Sequence, residues 1–236
     1  MHQPPHPIRH AWTLSPREAV ALQRELAERV IREGDPTAAQ LVAGVDVGFV
    51  GSRARAAVAV LSLSSLELVD HAVAEVPVTF PYVPGLLSFR EVPAVLEALG
   101  RVALQPDLLL CDGQGIAHPR RCGFASHLGL WTDIPTIGVA KSRLIGAHSA
   151  VPDQKGAWVP LLHGEAVIGA ALRTRACVAP VYVSVGHRIS LDAAIRCVLA
   201  CTTRYRLPET TRWAHRLASG GQPLPPSAHP KTQRRP

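Results

Sequence analysis

The stretch Leu41-Val42-Ala43-Gly44-Val45-Asp46-Val47-Gly48-Phe49 decides how the chain is read. It is apolar, rich in β-branched residues and punctuated by glycine, the composition of a strand buried on both faces. One carboxylate interrupts it. Strand alternation puts Val45 and Val47 on one face and Gly44, Asp46 and Gly48 on the other. Asp46 therefore stands between two positions with no side chain, which leaves room for something to approach it closely. A buried carboxylate left alone costs on the order of several kcal/mol, so it must be paired, protonated or bound to a metal. A structural arginine or a turn cap is the plainer alternative.

Working outward, residues 55–63 and 66–76 read as two further strands joined at Ser64-Ser65 into an antiparallel pair. Upstream, Ser15-Pro16-Arg17-Glu18 matches a capping box with proline at the first helical position. Ala19, Leu22, Leu26 and Val30 follow at helical spacing, and Gly34-Asp35-Pro36 stops the helix. Downstream, residues 77–85 form a loop stiffened by three prolines, followed by a helix over 88–101. A short buried strand, 108–111, ends at Asp112 and a glycine-rich loop. A helix at 124–131, a strand at 136–140, strands at 166–172 and 181–185, and a helix over 190–203 complete the pattern. An antiparallel meander followed by strands alternating with helices predicts an α/β fold, a mixed sheet covered by helices on both faces. Residues 1–12 and 219–236 are expected to be disordered, the latter as a basic, Pro-rich tail, leaving one domain over 13–218.

The 236 residues carry 25 Lys+Arg against 18 Asp+Glu, a formal charge of +7. With 47% hydrophobic and 18% charged residues, wholesale disorder is excluded. No apolar run reaches the roughly 18–20 residues of a membrane span. The first residues lack the basic and apolar stretches of a secretory signal, and none of the five cysteines forms a CxxC pair. These features predict a reduced, cytoplasmic, monomeric protein with no membrane partner. Charge is uneven: residues 1–172 hold 14 basic and 16 acidic side chains, whereas 173–236 hold 11 and 2. A basic half on a near-neutral body suggests nucleic acid, with a merely solvated surface as the alternative.

Asp112 lies where a buried strand meets a glycine-rich loop, the edge at which open α/β sheets bind ligands. Paired with Asp46 it offers hard oxygen donors suited to magnesium or manganese. Glu91 has two readings: a third carboxylate for the same ion, or the last member of a capping box in Ser88-Phe89-Arg90-Glu91. Lys141 follows the strand at 136–140 and can neutralise phosphate charge, or simply be solvated. His118, Arg120 and Arg121 make a compact basic turn suited to phosphate contact or proton transfer. Tyr82, on the proline-stiffened loop, can stack on or wedge between bases, or fill a local core.

Several ordered motifs resemble the endonuclease V family, deoxyinosine repair nucleases with a ribonuclease H-like fold. They are residues 43–49, 81–91, Pro106-Asp107, 112–121, 123–127, 135–141, Gly186-His187-Arg188 and 207–212, and the resemblance spans about residues 13–218. It implies that Asp46, Glu91 and Asp112 hold Mg2+, with Mn2+ as substitute, and that His215 is a fourth site residue. It implies that Lys141 acts near the scissile phosphate, with His118 in support. Pro81, Tyr82, Pro84 and Gly85 would form a wedge entering the duplex. The flipped inosine would sit against Gly113, Gly123, Gly138, Leu87 and Leu144, with Arg120 and Arg121 on the substrate. It further implies cleavage of deoxyinosine-containing DNA, with inosine-containing RNA as the other substrate, at the second phosphodiester bond 3′ to the base. Gln114 departs from the small residue or histidine expected at its position. Two rival readings are an actin-like ATPase or sugar kinase, since residues 44–48 also resemble a phosphate loop, and a non-catalytic nucleic-acid binder on the same scaffold.

Overall fold

The computed structural model describes residues 8–222. Strands β1 (Leu41–Val50), β2 (Arg53–Ser62) and β3 (Leu68–Pro77) form the antiparallel meander. Strands β4 (Leu108–Cys111) and β5 (Thr136–Ala140) extend it in parallel with β1. Strands β6 (Trp158–His163), β7 (Ala166–Leu172) and β8 (Val181–His187) complete one eight-stranded sheet in the order β3-β2-β1-β4-β5-β8-β7-β6. The helices are α1 (Pro16–Glu28), α2 (Ser88–Leu99), α3 (Phe124–Thr132), α4 (Leu191–Ala200) and α5 (Glu209–Ala218).

Alternation along the central strands divides the core in two. Val42, Leu108 and Leu110 enter one cluster with residues of α4 and α5, whereas Ala43, Val45, Leu109 and Cys111 enter the other with residues of α2 and α3. Both faces of β1 and β4 are thus covered, as their apolar composition requires. No helix among the described residues is long and apolar enough to cross a membrane.

Several boundaries differ from the sequence reading, each for a local reason. The capping box at Ser15 forms, with Ser15 N donating to Glu18 Oε2 at 2.7 Å, but α1 ends at Glu28 rather than near Gly34. There the backbone turns away: Ile31 N donates to His187 Nδ1 at 3.3 Å and Ile31 O accepts from Arg188 N at 2.8 Å. β3 begins at Leu68 because Leu66 occupies the left-handed region, φ 57°. β6 escaped the reading because it is an edge strand, mostly exposed and carrying Pro160, which only an edge tolerates. α5 escaped it because its buried face is small and partly polar (Thr210, Thr211 and Ala214 beside Leu217). The expectation of disorder through residue 12 fails from Ile8 onward. Ile8 is buried and its N–H bonds Leu130 O at 3.1 Å, while His10 and Trp12 pack against His127, Phe89 and Trp131. Residues 219–221 likewise bond back onto α5. The expected disorder of residues 1–7 and 223–236 lies outside the described residues.

Candidate active site

Register brings the first two carboxylates together. Val45 pairs with Cys111, and Asp112 N donates to Val45 O at 3.2 Å, so Asp46 and Asp112 follow each other across the ends of neighbouring parallel strands. Each side chain is only 15% exposed. Gly138 of β5 pairs with Cys111 on the other side of β4, which places Lys141, just past the end of β5, beside Asp112. Lys141 Nζ makes an ion pair with Asp112 Oδ2.

The bare positions flanking Asp46 are filled by a helix. A Cβ on Gly44 would lie 2.0 Å from Thr210 O, so the missing side chain there lets α5 lie directly on β1, whereas one on Gly48 would make only ordinary contact with Ala218 O at 3.6 Å. That docking carries His215 to the site, its Nδ1 2.8 Å from Asp46 Oδ2. The other oxygen of Asp46 accepts from Val47 N at 2.9 Å.

Glu91 enters from the first turn of α2. The helix starts without any side-chain cap, its N-cap position being Leu87, so the capping-box reading does not hold. Burial pushes the Glu91 carboxyl up to about 8, with the charges of Asp46 and Asp112 adding to the shift and only Arg90 opposing it. Burial also raises Asp112 above the usual carboxylate range against the pull of Lys141, with Asp46 adding to the rise. Asp46 and Asp112 thus both lie near enough to Glu91 for their charge to reach it.

The donors are hard oxygens carrying more negative charge than the neighbouring side chains neutralise, which suits a divalent cation. Among the described residues no three His, Cys, Asp or Glu side chains meet as a finished cage. Lys141 and His215 hold oxygens that an ion would share. The composition of the donor set therefore fits a hard metal.

The basic turn faces elsewhere. His118 donates to the Gly85 carbonyl and accepts from Arg120 N at 3.2 Å, and Arg120 Nη2 donates to Gly85 O at 2.7 Å. Burial, followed by the charges of Arg120 and Arg121, holds His118 down near 4, so it is neutral at pH 7. Arg121 reaches His163 on β6, with Nη2 3.0 Å from Nδ1. His118 and Arg120 thus brace the loop at 81–85, whose tip stands out: Tyr82 is 68% exposed, and Pro81 and Pro84 are exposed beside it.

The expected base pocket is only partly present. A Cβ on Gly123 would lie 2.4 Å from Gln114 O and one on Gly138 2.4 Å from Gly115 N. Those glycines are bare so that the loop at 113–115 can lie flat on α3 and β5, not so that a ligand can enter. Gly113 is different: φ is +155°, and a Cβ would meet only Phe124 at 3.6 Å. Leu87 and Leu144 are exposed. Gln114 lends Nε2 to Ser142 O at 3.1 Å and leaves its buried Oε1 unpartnered.

Sequence reasoning missed the polar supports. Buried His127 bridges Ser88 Oγ, at the start of α2, and His10 Nε2 at 2.9 and 2.8 Å. Gln23 is buried among Gly85, Cys122 and Arg120. In each case the only signal was a polar residue within an otherwise apolar helical stripe.

Comparison with known proteins agrees with this geometry. The family model for Endonuclease V matches residues 24–216. The chain is 57% identical to Endonuclease V of Roseiflexus castenholzii over 213 residues, 90% of this chain and 96% of that protein. Against Endonuclease V of a Nostoc species it is 59% identical, covering 89% and 96%. The crystal structure of Endonuclease V from Streptomyces avermitilis superimposes with a TM-score of 0.86 at 47% identity, covering 90% of this chain and 95% of that one. Endonuclease V of Ciona intestinalis, solved with a 23mer DNA containing an inosine followed by a ribo-adenosine, gives 0.77 at 28% identity, covering 88% and 98%. With strand-end carboxylates, sheet order and a family match over most of its length in agreement, the chain belongs to the endonuclease V family and is a nuclease.

Proposed function

We propose that this nuclease hydrolyses one strand of a nucleic acid next to a deaminated purine, inosine, and so initiates its repair. The cut falls at the second phosphodiester bond 3′ to the base and leaves 3′-hydroxyl and 5′-phosphate ends. The observation that carries the reading is the placement of Asp46 and Asp112 side by side on neighbouring parallel strands next to Lys141, with Glu91 held up by burial and, after it, by their charge. Asp46, Glu91 and Asp112 are the residues to hold magnesium or manganese. Such an ion, when bound, lowers the pKa of a water and stabilises charge on the scissile phosphate.

The protein's own groups do the rest. Lys141, beside Asp112, is placed to receive charge from the phosphate oxygens. His215 orients Asp46 through its 2.8 Å contact. Tyr82 on its rigid tip enters the base stack, and Gly113, with Leu87 and Leu144, lies against the extruded base. The solvent-exposed arginines supply salt-sensitive affinity for the backbone. Support for inosine as the recognised base comes from the Ciona relative, which was solved with inosine-containing DNA.

The test is nicking of matched strands, DNA and RNA, with inosine or guanine at one position, in magnesium and after chelation. Magnesium-dependent cuts confined to inosine strands are expected, and their DNA-to-RNA ratio identifies the substrate. Equal cutting after chelation would remove the metal, and equal cutting of guanine strands would remove the recognition.

A further inference from the structure

We infer that Gln23 is a positioning residue for lesion recognition, acting on the loop at 81–85 from the buried face of the N-terminal helix. This rests on the reading above that Tyr82 enters the substrate. Gln23 is 1% exposed and shares the buried face of α1 with Ala19, Leu26 and Ala27. A buried amide is costly unless both its ends are bonded, so its position there is explained by what it holds. Nε2 donates to Cys122 O at 2.5 Å and to Gly85 O at 3.1 Å, and Oε1 accepts from Arg120 Nε. The same guanidinium donates to Gly85 O at 2.7 Å, and His118 donates there too.

Three donors from two separate elements therefore converge on the carbonyl that closes the Tyr82 loop. Gly85 has φ +79°, and a Cβ there would lie 2.6 Å from Arg120 Nη2, so the residue type itself is dictated by this convergence. Proline stiffens residues 81–84 internally, but stiffness does not aim the tip. Its direction is set where the loop joins the body. One end is held by Arg90 Nη1 on Phe80 O at 2.9 Å, and the other by the Gln23–Arg120–His118 group on Gly85 O. Gln23 is the neutral member that orients Arg120: its Oε1 accepts from Nε, on the same edge of the guanidinium as the Nη2 that reaches Gly85.

The experiment compares Gln23→Met, which keeps the length but deletes both polar ends, and Gln23→Glu, which keeps the acceptor for Arg120 but removes the donor to Gly85 and Cys122. Two quantities are read: amide hydrogen exchange in segment 80–87 against strand 108–111, and the ratio of kcat/KM on inosine over undamaged DNA. Faster exchange confined to 80–87, with that ratio falling about tenfold, supports the inference, since the bond to Gly85 O is among those lost and one such bond is worth about that factor. Acceleration spread equally over both segments indicates a merely structural role and overturns it. So does unchanged discrimination in both variants while Tyr82→Ala lowers it. If Tyr82→Ala leaves discrimination intact, the wedge reading fails, and exchange in 80–87 alone then decides whether Gln23 holds the loop. Should Gln23→Met not fold, Gln23→Glu carries the same two readings.

Discussion

Midway along β1 and just past the end of β4, carboxylates lie side by side and their charges oppose one another; around Gly85, by contrast, a single carbonyl collects three donors. Both clusters are buried and polar, yet only the first is left unbalanced. Burial first, and then the charges of Asp46 and Asp112, raise Glu91, and Lys141 pairs with only one of the three carboxyl groups. At the second, Gln23, Arg120 and His118 satisfy one another and the backbone. Unbalanced charge marks a place for a ligand, and balanced polarity marks scaffolding. The basic turn at 118–121 looked in the sequence like a phosphate contact. Its hydrogen bonds assign His118 and Arg120 to the scaffold.

The largest effect should come from deleting a carboxylate of the first cluster. Asp46→Asn and Asp112→Asn should each reduce single-turnover cleavage by about 10³-fold or more, on the order of 4 kcal/mol, with DNA binding by gel shift retained. Wild-type cleavage by either variant would break the comparison at its root. Next comes packing next to the site. Gly138→Ala should lower stability by about 2–3 kcal/mol, since its Cβ would press on backbone at Gly115, and a thermal melt should show it. A normal melting temperature with lost inosine preference would instead restore Gly138 to the base pocket.

The two clusters also differ in the sign of their pH dependence, which sharpens the contrast. Glu91 is raised from 4.5 to about 8, so the folded state holds its proton more tightly than the unfolded chain. That contribution is present below about pH 4.5 and is lost as pH rises toward 8. His118 is lowered from 6.5 to about 4, so its contribution is present above about pH 6.5 and is lost as pH falls toward 4. In chelator, Glu91→Gln should therefore raise the melting temperature at pH 8 by several degrees, and leave it nearly unchanged at pH 4.5. A variant no more stable than wild type at pH 8 would mean that Glu91 is not opposed by its neighbours. The smallest effect is expected at Tyr82: Tyr82→Ala should lower preference for inosine about tenfold with no change in melting temperature, because the ring is 68% exposed. Unchanged preference would count against the wedge.

How far the site was legible depended on whether each residue stood out locally. Asp46 did, since a charge inside a β-branched run has few explanations, and Asp112 did because it ends a buried strand. Glu91 did not: Ser88 to Glu91 satisfies the spacing of a capping box, and only the absence of a side-chain cap at Leu87 removes that reading. Arg120 and His118 were legible as basic but not as partners of Gly85, because hydrogen bonds across 30 or so residues leave no periodic trace.

Most of the order of strands and helices, the central place of β1 and the carboxylates Asp46 and Asp112 were set by composition and alternation along the chain, which are local properties. The occupant of the space beside Gly44 and Gly48, the arrival of His215 next to Asp46, the strand at 158–163 and the bracing of Gly85 were decided only by the fold. Each depends on which distant segment reaches a given backbone surface, and a bare glycine or a buried glutamine records that something fits there without recording what.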